Sequence, residues 1–196
     1  MEKAPPIDRV RQVCEVAIRL FLERGFDNTP MSLIAKEAGL TKAGIYHHFE
    51  SKQELLHVVH KTLLQERMLP IIREAGAVAD PEERLRVFVH KLCTLLTSDF
   101  AARILVNETH RLTPDQFQDI RGVWLEELSL VREAIAQLQR EGRAKKDLHP
   151  TFAAFAGIGM CGWILYWFDS SRPESAPDVA RTMASVFLDG ILEKRA

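Results

Sequence analysis

The stretch Met31 to Glu54, MSLIAKEAGLTKAGIYHHFESKQE, constrains the fold of this chain more than any other. Leu33, Ile34 and Ala38 recur at helical spacing. Gly39 then supplies a residue that tolerates a left-handed backbone, which stops a helix and turns the chain sharply. Thr41 restarts the helical pattern, its hydroxyl suited to cap a helix running from Lys42 to Phe49. The short side chains of Ala43 and Gly44 at the start of that helix let its backbone approach a groove closely. Two short helices joined by a tight turn are the reading.

The flanks carry their own punctuation. Val10, Val13, Cys14, Ala17 and Phe21 form an apolar stripe, with Asp8 expected as N-cap, Gly25 as the stop and Phe26 folding back. Thr29-Pro30 reads as a cap followed by proline at the first helical position, where its missing N–H costs nothing. Ser51-Lys52-Gln53-Glu54 is a capping box, and it opens a helix through Leu55, Val58, Val59 and Leu63 toward Pro70.

Gly25-Phe26, Ile34-Ala35, Ala38-Gly39, Tyr46-His47-His48-Phe49 and Ser51-Lys52, in this order, resemble the N-terminal domain of the TetR family of bacterial transcriptional regulators. The resemblance runs from about Arg9 to Val59. Pro30 departs from it, standing where a second hydroxyl residue is common, and so does Gly44, where Ala or a small hydroxyl is usual. The resemblance implies double-stranded DNA as a partner and places Thr29, Thr41, Lys42, Ala43, Gly44, Tyr46, His47 and Lys52 at the contact. The residues agree in part: Lys42, Tyr46, His47 and Lys52 can share one face and offer cations and hydroxyls to phosphates. Ile45 and Phe49 read as core, and His47 as more exposed than His48.

Charge contributes less than the motif. Residues 1 to 67 hold ten Lys/Arg and nine Asp/Glu, so this segment has no bulk basic patch. Three cysteines, Cys14, Cys93 and Cys161, lie far apart without CxxC spacing, which argues against a zinc or disulfide framework and for a reducing cytoplasm. His57 and His60 sit three apart, but without a third ligand they read as a partly solvated helix face, and no metal or cofactor is expected. MEKAPPID lacks the apolar stretch of a signal peptide, so export is not expected.

Beyond Pro70 five more helices are predicted, with no strand pattern and no internal repeat. Asp80-Pro81-Glu82-Glu83 opens one that carries Leu85, Phe88, Val89, Leu92 and Leu96, and Phe100 to Glu108 forms a shorter one. Thr113-Pro114-Asp115-Gln116 opens a long helix through Phe117, Ile120, Trp124, Leu128, Val131, Ile135 and Leu138, which ends near Gly142. Phe152 to Phe168 is seventeen residues without a charge. It spells Gly157-x-Gly159-x-x-Gly162, but a dinucleotide site needs a preceding strand and a βαβ unit. Its length touches the minimum for crossing a bilayer, yet three glycines and the absence of basic flanks fit a protein core better. A helix apolar all round must be covered all round, and its own domain plus a second subunit is the simplest cover. The last helix, from about Pro177 through Ile191, completes that surface; the resemblance implies a homodimer built on the last two long helices.

The expected fold is all-α, with a helix-turn-helix DNA-binding domain over residues 1–52 and a helical effector-binding and dimerisation domain over 53–196. The expected function is a cytoplasmic, ligand-responsive regulator, a repressor released from an inverted-repeat operator, with no catalytic residues. Phe88, Leu92, Trp124, Leu128, Phe155 and Trp163 are candidates for an apolar effector pocket, with Arg103 and Asn107 as polar anchors. An apolar or acyl-CoA-like effector suits that lining. The competing readings are a DNA-binding protein without effector, a nucleotide-binding enzyme and a membrane-attached protein.

Overall fold

The computed structural model describes residues 6–99, 101–169, 171 and 175–193. Helix follows helix: α1 (Pro6–Arg24), α2 (Met31–Glu37), α3 (Lys42–His48), α4 (Lys52–Leu63), α5 (Leu69–Gly76), α6 (Pro81–Ser98), α7 (Ala102–Asn107), α8 (Pro114–Arg140), α9 (Pro150–Gly162), α10 (Ile164–Trp167) and α11 (Ala176–Ile191). A π-helical turn, Leu64–Met68, joins α4 to α5, and a 3₁₀ turn, Thr109–Arg111, precedes α8. Among the described residues the one β-type pairing is an isolated bridge between Ala144 and Leu192.

The chain packs as two compact units, 1–64 with 100–120 and 65–99 with 121–196. The first therefore takes in α4, α7 and the start of α8, beyond the boundary at residue 52 expected from sequence. Its core is Val13, Ala17 and Leu20 of α1, Ile34 of α2, Ile45 and Phe49 around α3, and Leu55, Leu56 and Val59 of α4, each at most 2% exposed. Full burial of each larger aliphatic side chain contributes about 1.5–3 kcal/mol before the entropy of ordering it. Gly39, at φ +67°, makes the sharp turn between α2 and α3, and Leu40 N–H closes it by donating to Ala35 O at 2.8 Å.

In the second unit α11 packs along α6, and α9 packs against both. The described glycine with the least room is Gly157 of α9: a Cβ there would stand 2.6 Å from the Phe187 ring of α11. Asp80 caps α6, accepting from Glu83 N–H at 2.9 Å, and Arg143 donates to the same carboxylate at 2.6 Å. This pairing with Arg143 holds the Asp80 carboxyl down at about 2. Asp80→Ala is expected to cost about 1 kcal/mol, typical of a lost cap. Because the folded-state pKa is depressed, that contribution is present above the ordinary carboxylate range and is lost as pH falls toward 2, so the denaturant melts of wild type and variant should differ at neutral pH and converge in acid.

Several boundaries differ from expectation. Helix α1 begins at Pro6, so Asp8 lies inside its first turn rather than capping it. Pro30, not Thr29, occupies the N-cap of α2. The helix from Ser51 does not stop at Pro70, because the π turn shifts its bonding pattern and α5 carries Pro70 in its first turn, where a missing N–H is tolerated. The short helix expected from Phe100 is Ala102–Asn107, with Phe100 itself outside the described residues. The apolar run is two helices, α9 and α10, with Trp163 between them.

Candidate nucleic-acid interface

Helix α3 presents one face and buries the other. Thr41, extended at φ −73° and ψ 161°, caps it by accepting from Gly44 N–H at 3.0 Å. Ile45 and Phe49 point into the core at 0% and 2% exposure, which turns Lys42, Ala43, Tyr46 and His47 to solvent. The i, i+4 pairs Lys42/Tyr46 and Ala43/His47 therefore line one face of the helix. Neither the Lys42 ammonium nor the Tyr46 hydroxyl has a partner among the described residues, so both are free to meet phosphate or a base edge. His47 is exposed and His48 half-buried, as expected from sequence. A Cβ on Gly44 would stand 3.2 Å from Thr41 Oγ1, so the glycine makes room for the cap as well as for a close backbone approach.

Two expected contact residues are used elsewhere. Thr29 is fully buried, and its hydroxyl donates to Gly25 O at 2.8 Å and Leu20 O at 3.3 Å, tying the α1–α2 loop to the end of α1. A side chain so placed has no access to phosphate. Lys52 donates to Phe26 O at 2.7 Å and Asp27 O at 3.3 Å, with its ammonium 4.3 Å from the centre of the Phe26 ring. It pins the first turn of α4 to that same loop. The Arg111 guanidinium lies 5.0 Å from the Phe26 ring centre and makes two 2.8 Å bonds to the Asp27 carboxylate.

The same unit carries polar ties that sequence reasoning missed. His60 is fully buried, not partly solvated: its Nδ1 meets Leu56 O at 2.9 Å, its Nε2 faces Thr109 Oγ1 at 3.3 Å, and burial lowers its pKa. Asp119 pairs with His57 Nε2 at 2.9 Å and Lys61 Nζ at 2.8 Å. These bonds fasten α4 to the 3₁₀ turn and to the first turns of α8. A helical wheel places His57 and His60 near one another but gives no sign of partners as far along the chain as Thr109 and Asp119.

The residues expected in an effector pocket are divided between the two units. Phe88 and Leu92 of α6 are buried, and Trp124 and Leu128 of α8 are half-buried, all in the second unit. Arg103 and Asn107 belong to the first unit, and Asn107 is exposed. Phe155 and Trp163 are 57% and 63% exposed, so neither lines an enclosed cavity. With Phe152, Tyr166, Trp167 and Val186 they give the second unit an apolar outer face. A cleft of about 470 Å³ bordered by Glu82, Arg86, Ser185 and Asp189 contains none of the expected residues.

Glu127 is the residue that sequence reasoning missed here. It stands on the same stripe of α8 as Trp124 and Val131, is 2% exposed, and its burial pushes the carboxyl up to about 7. The Trp124 indole N–H is buried and makes no hydrogen bond among the described residues. Nearby, the Cys93 and Cys161 sulfurs lie 3.7 Å apart, both thiols buried and that of Cys161 held in its neutral form.

With this geometry in view, comparison with known proteins is specific. Residues 13–59 match the model of bacterial regulatory proteins of the tetR family, and residues 78–191 match the tetracyclin repressor-like C-terminal domain. The chain is 24% identical to the HTH-type transcriptional repressor KstR2 of Mycobacterium tuberculosis over 93% of its own length and 92% of the relative's. It is 29% identical to the nicotine-responsive repressor HdnoR of Paenarthrobacter nicotinovorans, over 94% and 96%. Among solved structures, AibR in complex with isovaleryl coenzyme A and operator DNA superposes with a TM-score of 0.82 at 29% identity, covering 91% of this chain and 97% of AibR.

Proposed function

We infer what this chain does from the premise that it belongs to the TetR family of bacterial regulatory proteins. It is a ligand-responsive DNA-binding transcriptional repressor. The observation that carries the DNA contact is the α3 face, where a capped helix offers Lys42, Tyr46 and His47 to solvent and small residues at its start. In this reading Lys42 and Tyr46 meet the DNA backbone or base edges, His47 lies beside them, and Thr41, Ala43 and Gly44 bring the helix N-terminus close. No catalytic step is required, and the protein acts in the cytoplasm.

The outer face of Phe152, Phe155, Trp163, Tyr166, Trp167 and Val186 supports a homodimer. The segment Pro150–Trp167 is long and apolar enough to cross a membrane by length and composition. Its break at Trp163 and its packing against α6 and α11 favour a subunit contact over a bilayer. Two α3 helices related by a two-fold axis then read the half-sites of an inverted repeat.

A small, largely apolar effector acts in the C-terminal domain and releases the dimer. AibR binds isovaleryl coenzyme A, and its 29% identity with this chain supports an effector of that general kind. The test is linkage. At a free concentration of about 100 times its dissociation constant an effector should stabilise the dimer by roughly 2.7 kcal/mol. It should also weaken operator binding by the factor by which operator weakens effector binding. A compound that raises the Tm without moving operator affinity is a bystander, and a protein that binds no DNA ends the reading.

A further inference from the structure

The core stripe of α8 is apolar at Ile120, Val131, Ala134, Ile135 and Leu138, each at most 2% exposed, and it is broken by one acid. Glu127, equally buried, has neither a cation nor a hydrogen-bond donor beside it among the described residues, and desolvation is the one cause of its shift. An uncompensated carboxylate in such a place is costly to hold, so below about pH 7 the group is protonated and is an O–H donor. One turn earlier on the same stripe, the Trp124 indole is a donor by chemistry, buried and unpaired. Residues three apart on a helix have Cβ atoms about 5–6 Å apart, so the two groups are neighbours on this stripe. The Cys161 thiol of α9 is close enough to Glu127 to feel its charge, and it engages the Cys93 thiol of α6. Trp124 and Leu128 are only half-buried, so this stripe is reachable from solvent beside them.

Resting on the ligand-responsive reading above, we propose that Trp124 Nε1–H and the Glu127 carboxyl are the polar end of the effector site, where both donate to the carbonyl oxygen of an otherwise apolar effector, a ketone or an acyl thioester. An sp² carbonyl oxygen has two lone pairs and accepts both bonds without bringing in a charge. A protonated amine has no lone pair for the indole, and a carboxylate would add a buried charge where no cation compensates it.

The experiment uses the full chain, its operator, and four probes: decalone as ketone, hexanoyl-CoA as thioester, decalin as the carbonyl-free frame and a decalin-derived primary amine. The two carbonyl arms distinguish the two sources, and at least one of them binds and releases operator. Trp124→Phe weakens that probe about fivefold, the worth of one neutral hydrogen bond, and leaves decalin unaffected. Glu127→Gln keeps an N–H donor and retains carbonyl binding, whereas Glu127→Leu loses it by about fivefold or more while folding at least as stably, since it removes a buried unpaired polar group. In the wild type, affinity for the carbonyl probe holds below pH 7 and falls about tenfold per unit above it as the carboxyl near 7 ionises, and Glu127→Gln abolishes that fall. Binding of the amine with affinity rising through pH 7, carbonyl binding untouched by both Trp124→Phe and Glu127→Leu, or no binding by either carbonyl probe each overturns the inference. None of these touches the regulator reading, which fails separately if the unliganded protein binds no operator.

Discussion

Replacing Lys42 and His47 together by alanine is expected to weaken operator binding of the dimer by about a thousandfold at moderate salt while leaving its Tm unchanged. Both side chains are exposed on α3 and neither supports the core, so folding should not register their loss. Each subunit gives up two polar contacts to DNA, and four contacts at about 1 kcal/mol each amount to roughly three powers of ten. Titrations over a range of salt divide the loss. A phosphate contact lowers the slope of log K against log salt by about 0.9 per contact, whereas a base contact leaves the slope and relaxes preference at one position of each half-site. Binding within a few-fold of wild type at all salt concentrations would remove both side chains from the interface.

A second large effect is expected in the other unit, at the crossing of α9 and α11. Any side chain at Gly157 meets the Phe187 ring at well under contact distance, and Phe187 is itself 7% exposed, so the ring cannot simply swing into solvent. Gly157→Ala should cost about 1–3 kcal/mol through overpacking, and Gly157→Leu more. In a cycle with Phe187→Leu the two costs should fall short of adding, because the smaller side chain at 187 accepts the new methyl. If α9 and α11 also carry the subunit contact, Gly157→Leu will raise the dimer dissociation constant, which sedimentation at several concentrations would detect. Full additivity in the cycle would mean that the close approach of Gly157 and Phe187 is not what limits position 157.

The sequence made the α3 face legible because periodicity, cap and turn agree there. A helix capped at Thr41 with Ile45 and Phe49 inward leaves one arrangement for Lys42, Tyr46 and His47. Thr29 misled because a hydroxyl before Pro30 satisfies the pattern of a helix cap, while the carbonyls that claim it, those of Leu20 and Gly25, are exposed to it only once the loop has folded back. Lys52 is similar: its ammonium goes to backbone oxygens 25 and 26 residues away, a distance no local pattern encodes. Phe155 and Trp163 read as pocket lining since apolar content does not distinguish an inner wall from an exposed outer face. Glu127 was readable in principle. It falls three residues after Trp124 and four before Val131, on the stripe itself, but an acid in the acidic run Glu126-Glu127 is easily assigned to the solvent side.

Selection of operators from random duplex DNA by the full-length protein tests the regulator account most directly. It should return an inverted repeat whose half-sites lie about 10 base pairs, or a multiple of that, from centre to centre, since two copies of α3 related by a two-fold axis must enter successive major grooves on one side of the duplex. The Lys42→Ala, His47→Ala protein, carried through the same rounds, should return no enriched site. Enrichment of a single asymmetric half-site, or of the same repeat by the double variant, would contradict the account.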